Sequence, residues 1–150
     1  MLLIIFLIKD SHTSTVWSSD FNKDGSKLIS CSEDKTLKVW TNQGDSTWKC
    51  AATITGYHSR SIYNVKWSNL TGLIATACSD NSIHVFKESS SVSAYPEMVS
   101  DEPYLKLLCN KENAHSQDVN CVDWSPSEPN LLASCSDDGS VKIWKFNETD

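Results

Sequence analysis

Residues 115–144 read HSQDVNCVDWSPSEPNLLASCSDDGSVKIW, and a close variant of this stretch occurs twice more upstream. A His opens it, an alternating apolar run follows (Val119, Val122, Trp124), then a turn, the small-residue segment LLASCS, an Asp, and a last run closing on Trp144. The same order runs from His12 to Trp40 and from His58 to Phe86. In each copy an Asp lies six residues before the closing aromatic: Asp34 before Trp40, Asp80 before Phe86, Asp138 before Trp144. The opening His precedes that aromatic by 28, 28 and 29 residues. Repetition at so constant a spacing means one supersecondary unit used three times.

Each copy predicts three consecutive antiparallel strands, because apolar residues alternate with period two and β-branched residues are frequent. In the first copy these are 16–21, 27–32 and 36–40, with a tight turn at Asp24-Gly25, and 48–54 adds an outer fourth strand. The second copy gives 62–67, 73–78 and 82–87, then a Ser-, Pro- and acid-rich insert over 88–103 that reads as a mobile loop, then an outer strand over 104–109. The third gives 118–124, 131–136 and 140–146, and has no fourth strand of its own. The closing aromatics are 46 and 58 residues apart, the excess lying in the insert. Units of about 40 to 45 residues with four short strands each are the blades of a β-propeller. The expected fold is all-β: an incomplete arc of antiparallel blades over 12–54, 58–109 and 115–146, with 1–11 a divergent segment or outer strand and 147–150 a tail.

The segments HSRSIYNVKW, LTGLIATACSDNSIHVF and AHSQDVNCVDWSPSEPNLLASCSDDGSVKIWK carry a resemblance to the WD-repeat family, and within it to the WD-repeat proteins of cytosolic iron–sulfur assembly. The likeness runs over 12–146 and leaves out the first ten residues. It implies a seven-bladed ring of which this chain resembles the C-terminal part, so the sequence predicts a fragment. It also implies a non-catalytic scaffold within the complex that targets iron–sulfur clusters to cytosolic and nuclear apoproteins. The implied partners are the other subunits of that complex and the client apoproteins, in the cytoplasm and also the nucleus. The alternative is a WD-repeat adaptor of another complex, such as a ubiquitin-ligase substrate receptor.

The recurring His, hydroxyl, Asp and Trp invite comparison with a catalytic triad. The resemblance implies a structural tetrad instead, in which the indole N–H donates to the hydroxyl, the hydroxyl reaches the imidazole, and the Asp holds the imidazole. The residues are His12, Ser30, Asp34 and Trp40 in the first copy, and His115, Ser134, Asp138 and Trp144 in the third. The middle copy offers His58, Thr76 and Asp80 but ends on Phe86, which has no donor, so its network is shortened and Phe86→Trp is expected to stabilise it by about 1 kcal/mol. An enzyme needs one site beside a pocket, whereas a lattice bond recurs in every blade. The sequence therefore predicts no catalytic residues, no cofactor and no metal. His12, His58 and His115 belong to separate blades, too far apart for one coordination sphere.

Composition narrows the partners. Thirteen Lys and Arg against nineteen Asp and Glu give a net charge of −6, which works against capture of a phosphate backbone and favours protein partners over nucleic acid. Six cysteines at gaps of 12 residues or more form no CxxC and read as buried reduced thiols, which places the chain in a reducing compartment. The opening MLLIIFLI is too short to span a bilayer and lacks a basic n-region and cleavage site, so no membrane partner is expected and an outer strand is the preferred reading. The candidate partner contacts are residues at the start of each first strand and beside the repeated Asp, since those loops open on one face of a propeller. They are Trp17, Glu33, Tyr57, Arg60, Tyr63, Ser79, Gln117, Asp118, Asn120 and Asp137.

Overall fold

The computed structural model describes residues 7–8, 11–44, 47–89 and 103–147. The expectations for 1–11, the interior of the 88–103 insert and the 147–150 tail fall largely outside these residues. No helix among the described residues is long and apolar enough to cross a membrane.

Eleven strands are described, in three antiparallel sheets. The first sheet has the order β1 (Val16–Phe21), β2 (Lys27–Ser32), β3 (Leu37–Asn42), β4 (Trp48–Ile54). The second runs β5 (Ile62–Trp67), β6 (Ile74–Cys78), β7 (Ile83–Glu88), β8 (Leu105–Lys111). The third contains β9 (Val119–Trp124), β10 (Leu131–Ser136) and β11 (Val141–Lys145), and leaves the outer edge of β11 unpaired among the described residues. Five of the eleven spans coincide with the expected ones. The third and fourth strands differ most, β3 and β8 each running two residues further, because ladder pairing with the neighbouring strand continues after the apolar alternation stops.

Local chemistry sets the turns. Gly25 lies at φ +73°, with its N–H on the Asn22 carbonyl, and closes the β1–β2 hairpin. Between the second and third strands the residue after the repeated Asp takes positive φ in every copy: Lys35 at 67°, Asn81 at 67° and Gly139 at 78°. The Asp carboxylate compensates any backbone strain there by accepting the N–H of the next residue but one.

The sheets pack face to face through their first strands, and the repeat dictates which residues meet. Ile29, Cys31, Leu37 and Val39 are fully buried against Ile62, Val65, Trp67 and Ile74 of the second sheet. The matching positions of that sheet, Ala75, Ala77, Ile83 and Val85, are in turn buried against Val119, Val122, Trp124 and Leu132 of the third. Polar links tie the same junctions: Trp67 N–H donates to Asp20 (2.8 Å), Asn64 donates to Ser18 (3.0 Å), and Val122 N–H donates to Asn64 (3.1 Å). At the ends of the arc the pattern has no counterpart. Val141 and Ile143, which match Leu37 and Val39, are 72% and 64% exposed, and Val16 and Phe21, which match Ile62 and Trp67, are 47% and 51% exposed.

The cysteines depart from expectation. All six are free, but only Cys31 and Cys78 are buried, Cys50 is exposed on outer strand β4, and the other three are half-buried. Burial pushes the Cys31 and Cys78 thiols up to about 12, which keeps them protonated and unreactive. Cys121 and Cys135 are less covered because they lie on the open face of the third sheet.

Candidate functional site

Two of the three His networks form the full tetrad. Trp40 Nε1–H donates to Ser30 Oγ (2.9 Å), the Ser30 hydroxyl donates to His12 Nε2 (2.8 Å), and His12 Nδ1–H donates to Asp34 (2.9 Å). The third sheet repeats this with Trp144 to Ser134 (2.8 Å), Ser134 to His115 (2.7 Å) and His115 to Asp138 (2.9 Å). Burial lowers the His12 pKa against the opposing pull of Asp34, so its imidazole is neutral, with Nδ1 protonated toward the carboxylate. Burial alone would raise the Asp34 carboxyl, but bonds from the Thr36 hydroxyl, the Thr13 N–H and His12 outweigh it and hold Asp34 at about 2. Hydrogen bonds led by the Ser140 hydroxyl likewise hold the Asp138 carboxyl well below the usual carboxylate range.

A further hydroxyl, two residues after each Asp, belongs to these networks and was missed from sequence. Thr36 Oγ1 donates to Asp34 (2.7 Å), Ser140 Oγ donates to Asp138 (2.6 Å), and Ser82 donates to Asp80. The recurring spacing Asp-x-Thr/Ser was the signal that could have found them.

The middle sheet is built differently. His58 Nε2 meets Thr76 Oγ1 (2.9 Å), but Asp80 bonds Ser59 and Ser82 and makes no hydrogen bond to His58 among the described residues. His84, on β7, takes up the space instead. Its ring lies 4.4 Å from that of His58 and stacks on Phe86 at 6.0 Å and 18°, while Tyr57 meets Phe86 edge-on at 5.3 Å. Phe86 is fully buried in this cluster. With His84 and Tyr57 packed on a fully buried Phe86, the geometry argues for overpacking by an indole and against the gain expected from Phe86→Trp. Burial and the neighbouring His84 push the His58 pKa down to about 3.

The candidate partner contacts divide into two groups. The structure brings Trp17, Arg60, Tyr63 and Asp118 together. Trp17 and Tyr63 pack edge-to-face at 5.5 Å, the Tyr63 hydroxyl donates to Asp118 (3.2 Å), and Arg60 lies 3.7 Å from the same carboxylate while bonding the Ser79 carbonyl at 2.9 Å. Asn120 reaches Asp137 (2.5 Å), and Asp137 N–H bonds the Asp118 carbonyl (3.1 Å). A recurring bulge aims three of these side chains. Trp17, Tyr63 and Asn120 are each the extra residue in the pairing of the first strand with the second, and a bulge turns its residue out of the ladder. Trp17 is half exposed and the Arg60 side chain 64% exposed, so this strip crosses all three sheets and presents an aromatic and a guanidinium to solvent.

The remaining candidates are placed less favourably. Glu33 accepts from the Ser14 hydroxyl (2.7 Å), and Gln117 offers its carbonyl to Ser136 (3.3 Å). Ser79 is only 2% exposed and Tyr57 packs on the core beside Phe86, so the side chain of Ser79 is withdrawn from contact and Tyr57 belongs chiefly to packing. No three His, Cys, Asp or Glu residues among those described are grouped to hold a metal ion.

Comparisons with known proteins accord with this geometry. In sequence, the chain is 42% identical over 92% of its length to the "Probable cytosolic iron-sulfur protein assembly protein Ciao1" of Culex quinquefasciatus, covering 43% of that protein. It is 44% identical over 91% of its length to the protein of the same description from Aedes aegypti, covering 42% of it. It is 51% identical to the Homo sapiens protein, CIAO1, over 68% of this chain and 28% of that one. The chain thus spans less than half the length of these relatives. In structure, it matches Saccharomyces cerevisiae Sqt1 with a TM-score of 0.74 over 94% of this chain and 34% of that one, at 20% identity, a likeness of fold alone. The family model described as WD domain, G-beta repeat matches residues 5–41, 48–87 and 107–145, each match taking in one of the three His-to-aromatic repeats, and the chain belongs to that family.

Proposed function

We propose that this chain is a non-catalytic docking scaffold of cytosolic iron–sulfur protein assembly. The observation that carries the reading is the 42–44% identity to Ciao1 proteins sustained over 91–92% of the chain. The geometry supports it in two ways. The His–Asp networks sit in separate sheets and are closed on their own Ser and Trp partners, which suits them to hold loops rather than to turn over a substrate. The strip from Trp17 through Tyr63 and Arg60 to Asn120 presents the residue types that anchor protein interfaces. In this reading the strip contacts the other subunits of the targeting complex or the client apoproteins, and the cluster is cargo carried by those partners. The setting is the cytoplasm, and the nucleus for nuclear clients.

Affinity capture of the tagged chain from its own cells tests this. Iron–sulfur assembly proteins should co-purify, and Arg60→Ala with Tyr63→Ala should cut their yield about tenfold, the consequence of losing roughly 1.4 kcal/mol at an interface anchor. Recovery of a cullin adaptor instead would favour a ubiquitin-ligase receptor, and unchanged yield with the double variant would remove the strip from the interface.

A further inference from the structure

The three sheets are copies of one design, so a side chain kept in two and replaced in the third marks a difference in what the sheet can bind. Two residues before the closing aromatic, the first and third copies carry Lys38 and Lys142, and the second carries His84. The Lys38 ammonium donates to Thr53 Oγ1 (2.7 Å). The Lys142 ammonium donates to the Ala114 carbonyl (2.7 Å) and lies 5.8 Å from the centre of the Trp144 ring. The register carries both partners into the second sheet. Lys38 pairs with Thr53 as His84 pairs with Asn110, and Ala114 precedes His115 as Tyr57 precedes His58. Tyr57 and Asn110 are walls of one cleft of about 300 Å³, together with Asp80, His84 and Glu112, and among the described residues its walls carry no Lys or Arg.

His84 does not replace the missing charge. Its ring is 2% exposed and turned onto His58 and Phe86, and burial lowers its pKa so that it stays neutral. Asp80, Glu112, Asn110 and Tyr57 thus line a space where, by register, the other two sheets hold an ammonium of their own. Asp80 already accepts from Ser59 and Ser82, and Glu112 accepts from the Asn110 amide at 3.4 Å, which leaves the Glu112 carboxylate with further acceptor capacity. An ammonium is compact, carries three donors and no acceptor, and matches these acceptors better than a planar guanidinium does.

We propose that this cleft binds a primary alkylammonium group, the side chain of a lysine on a partner polypeptide, in the place that Lys38 and Lys142 fill in the flanking sheets. The proposal rests on the repeat geometry and is independent of the functional reading above. The test is an NMR titration of the whole chain with Nα-acetyl-lysine N-methylamide, its neutral norleucine analogue and putrescine. The lysine probe should give saturable shifts at the Asn110 amide and His84 ring, with a Kd on the order of millimolar, and the norleucine probe none. His84→Lys, which returns an internal ammonium, should abolish the shifts. Glu112→Gln, on an exposed side chain that leaves the fold intact, should weaken binding at least threefold. Equal response to norleucine, or lysine binding unchanged by Glu112→Gln, would overturn the proposal, and tighter binding of putrescine than of the lysine probe would assign the cleft to a free polyamine instead.

Discussion

Ser30→Ala and Trp40→Phe make the strongest test of the tetrad, because they remove the two ends of one buried hydrogen bond with unequal consequences. Ser30 and Trp40 are each 5% exposed. In Ser30→Ala the Trp40 indole N–H and the His12 Nε2 lone pair both lose their partner, and the space left by a hydroxyl is too small for a replacement water. At about 1 to 3 kcal/mol for each of the two stranded groups, the cost is roughly 2 to 6 kcal/mol. In Trp40→Phe the Ser30 hydroxyl keeps its bond to His12. The loss is one net hydrogen bond of about 1 kcal/mol plus a smaller ring, roughly 2 to 3 kcal/mol in all. In the double variant the indole N–H is gone before Ser30 is removed, so only His12 is stranded. The two changes together should cost about 2 to 4 kcal/mol less than their sum, the stranded indole and the one net hydrogen bond no longer being counted. Urea denaturation followed by far-UV circular dichroism measures all three. Additivity within about 0.5 kcal/mol, or an unchanged midpoint for Ser30→Ala, would refute the reasoning. The Ser134 and Trp144 pair should show the same sign with a smaller coupling, since Trp144 is less buried.

Two further outcomes follow from the middle sheet. Phe86→Trp should destabilise by about 1 to 3 kcal/mol through overpacking against His84 and Tyr57, and a raised urea midpoint would show that the indole fits after all. The His58 pKa, near 3 when folded, lies below its unfolded value of about 6.5. The unfolded chain therefore takes up a proton first on acidification, and stability falls as pH drops from about 6.5 toward 3. His58 alone should cost about 2 kcal/mol by pH 5, with burial of His84 adding in the same direction. His58→Gln should flatten this slope in urea midpoints taken between pH 7 and pH 5, and a slope unchanged by that substitution would remove His58 as its source.

The repeats and the strand positions were legible because each rests on spacing, and the two full tetrads because the family resemblance implied them. An Asp six residues before the closing aromatic falls at the turn between the second and third strands in every copy, whatever the intervening residues. The bulge at Trp17, Tyr63 and Asn120 was not legible, since a register shift depends on how two strands pair and leaves no periodic trace in either. The fate of His84 was hidden for a different reason. Its position alternates correctly for a strand, and only the packed structure shows the ring turned inward, Asp80 turned to Ser59 and Ser82, and a cleft where Lys38 and Lys142 place charge. Ser79 illustrates the converse error, a residue in the right loop whose side chain points into the protein.

The central claim is that these are three successive blades whose packing faces continue past both ends of the arc. Val141 and Ile143 at one end, and Val16 and Phe21 at the other, present the residues that the two internal junctions bury, and the β11 edge is unpaired among the described residues. Exposed apolar faces and a free strand edge favour association. Sedimentation velocity of the purified chain across a dilution series measures this directly. The account predicts concentration-dependent oligomers or aggregates, reduced by Val141→Lys with Ile143→Glu, whereas a single species at the monomer mass that unfolds cooperatively would contradict it.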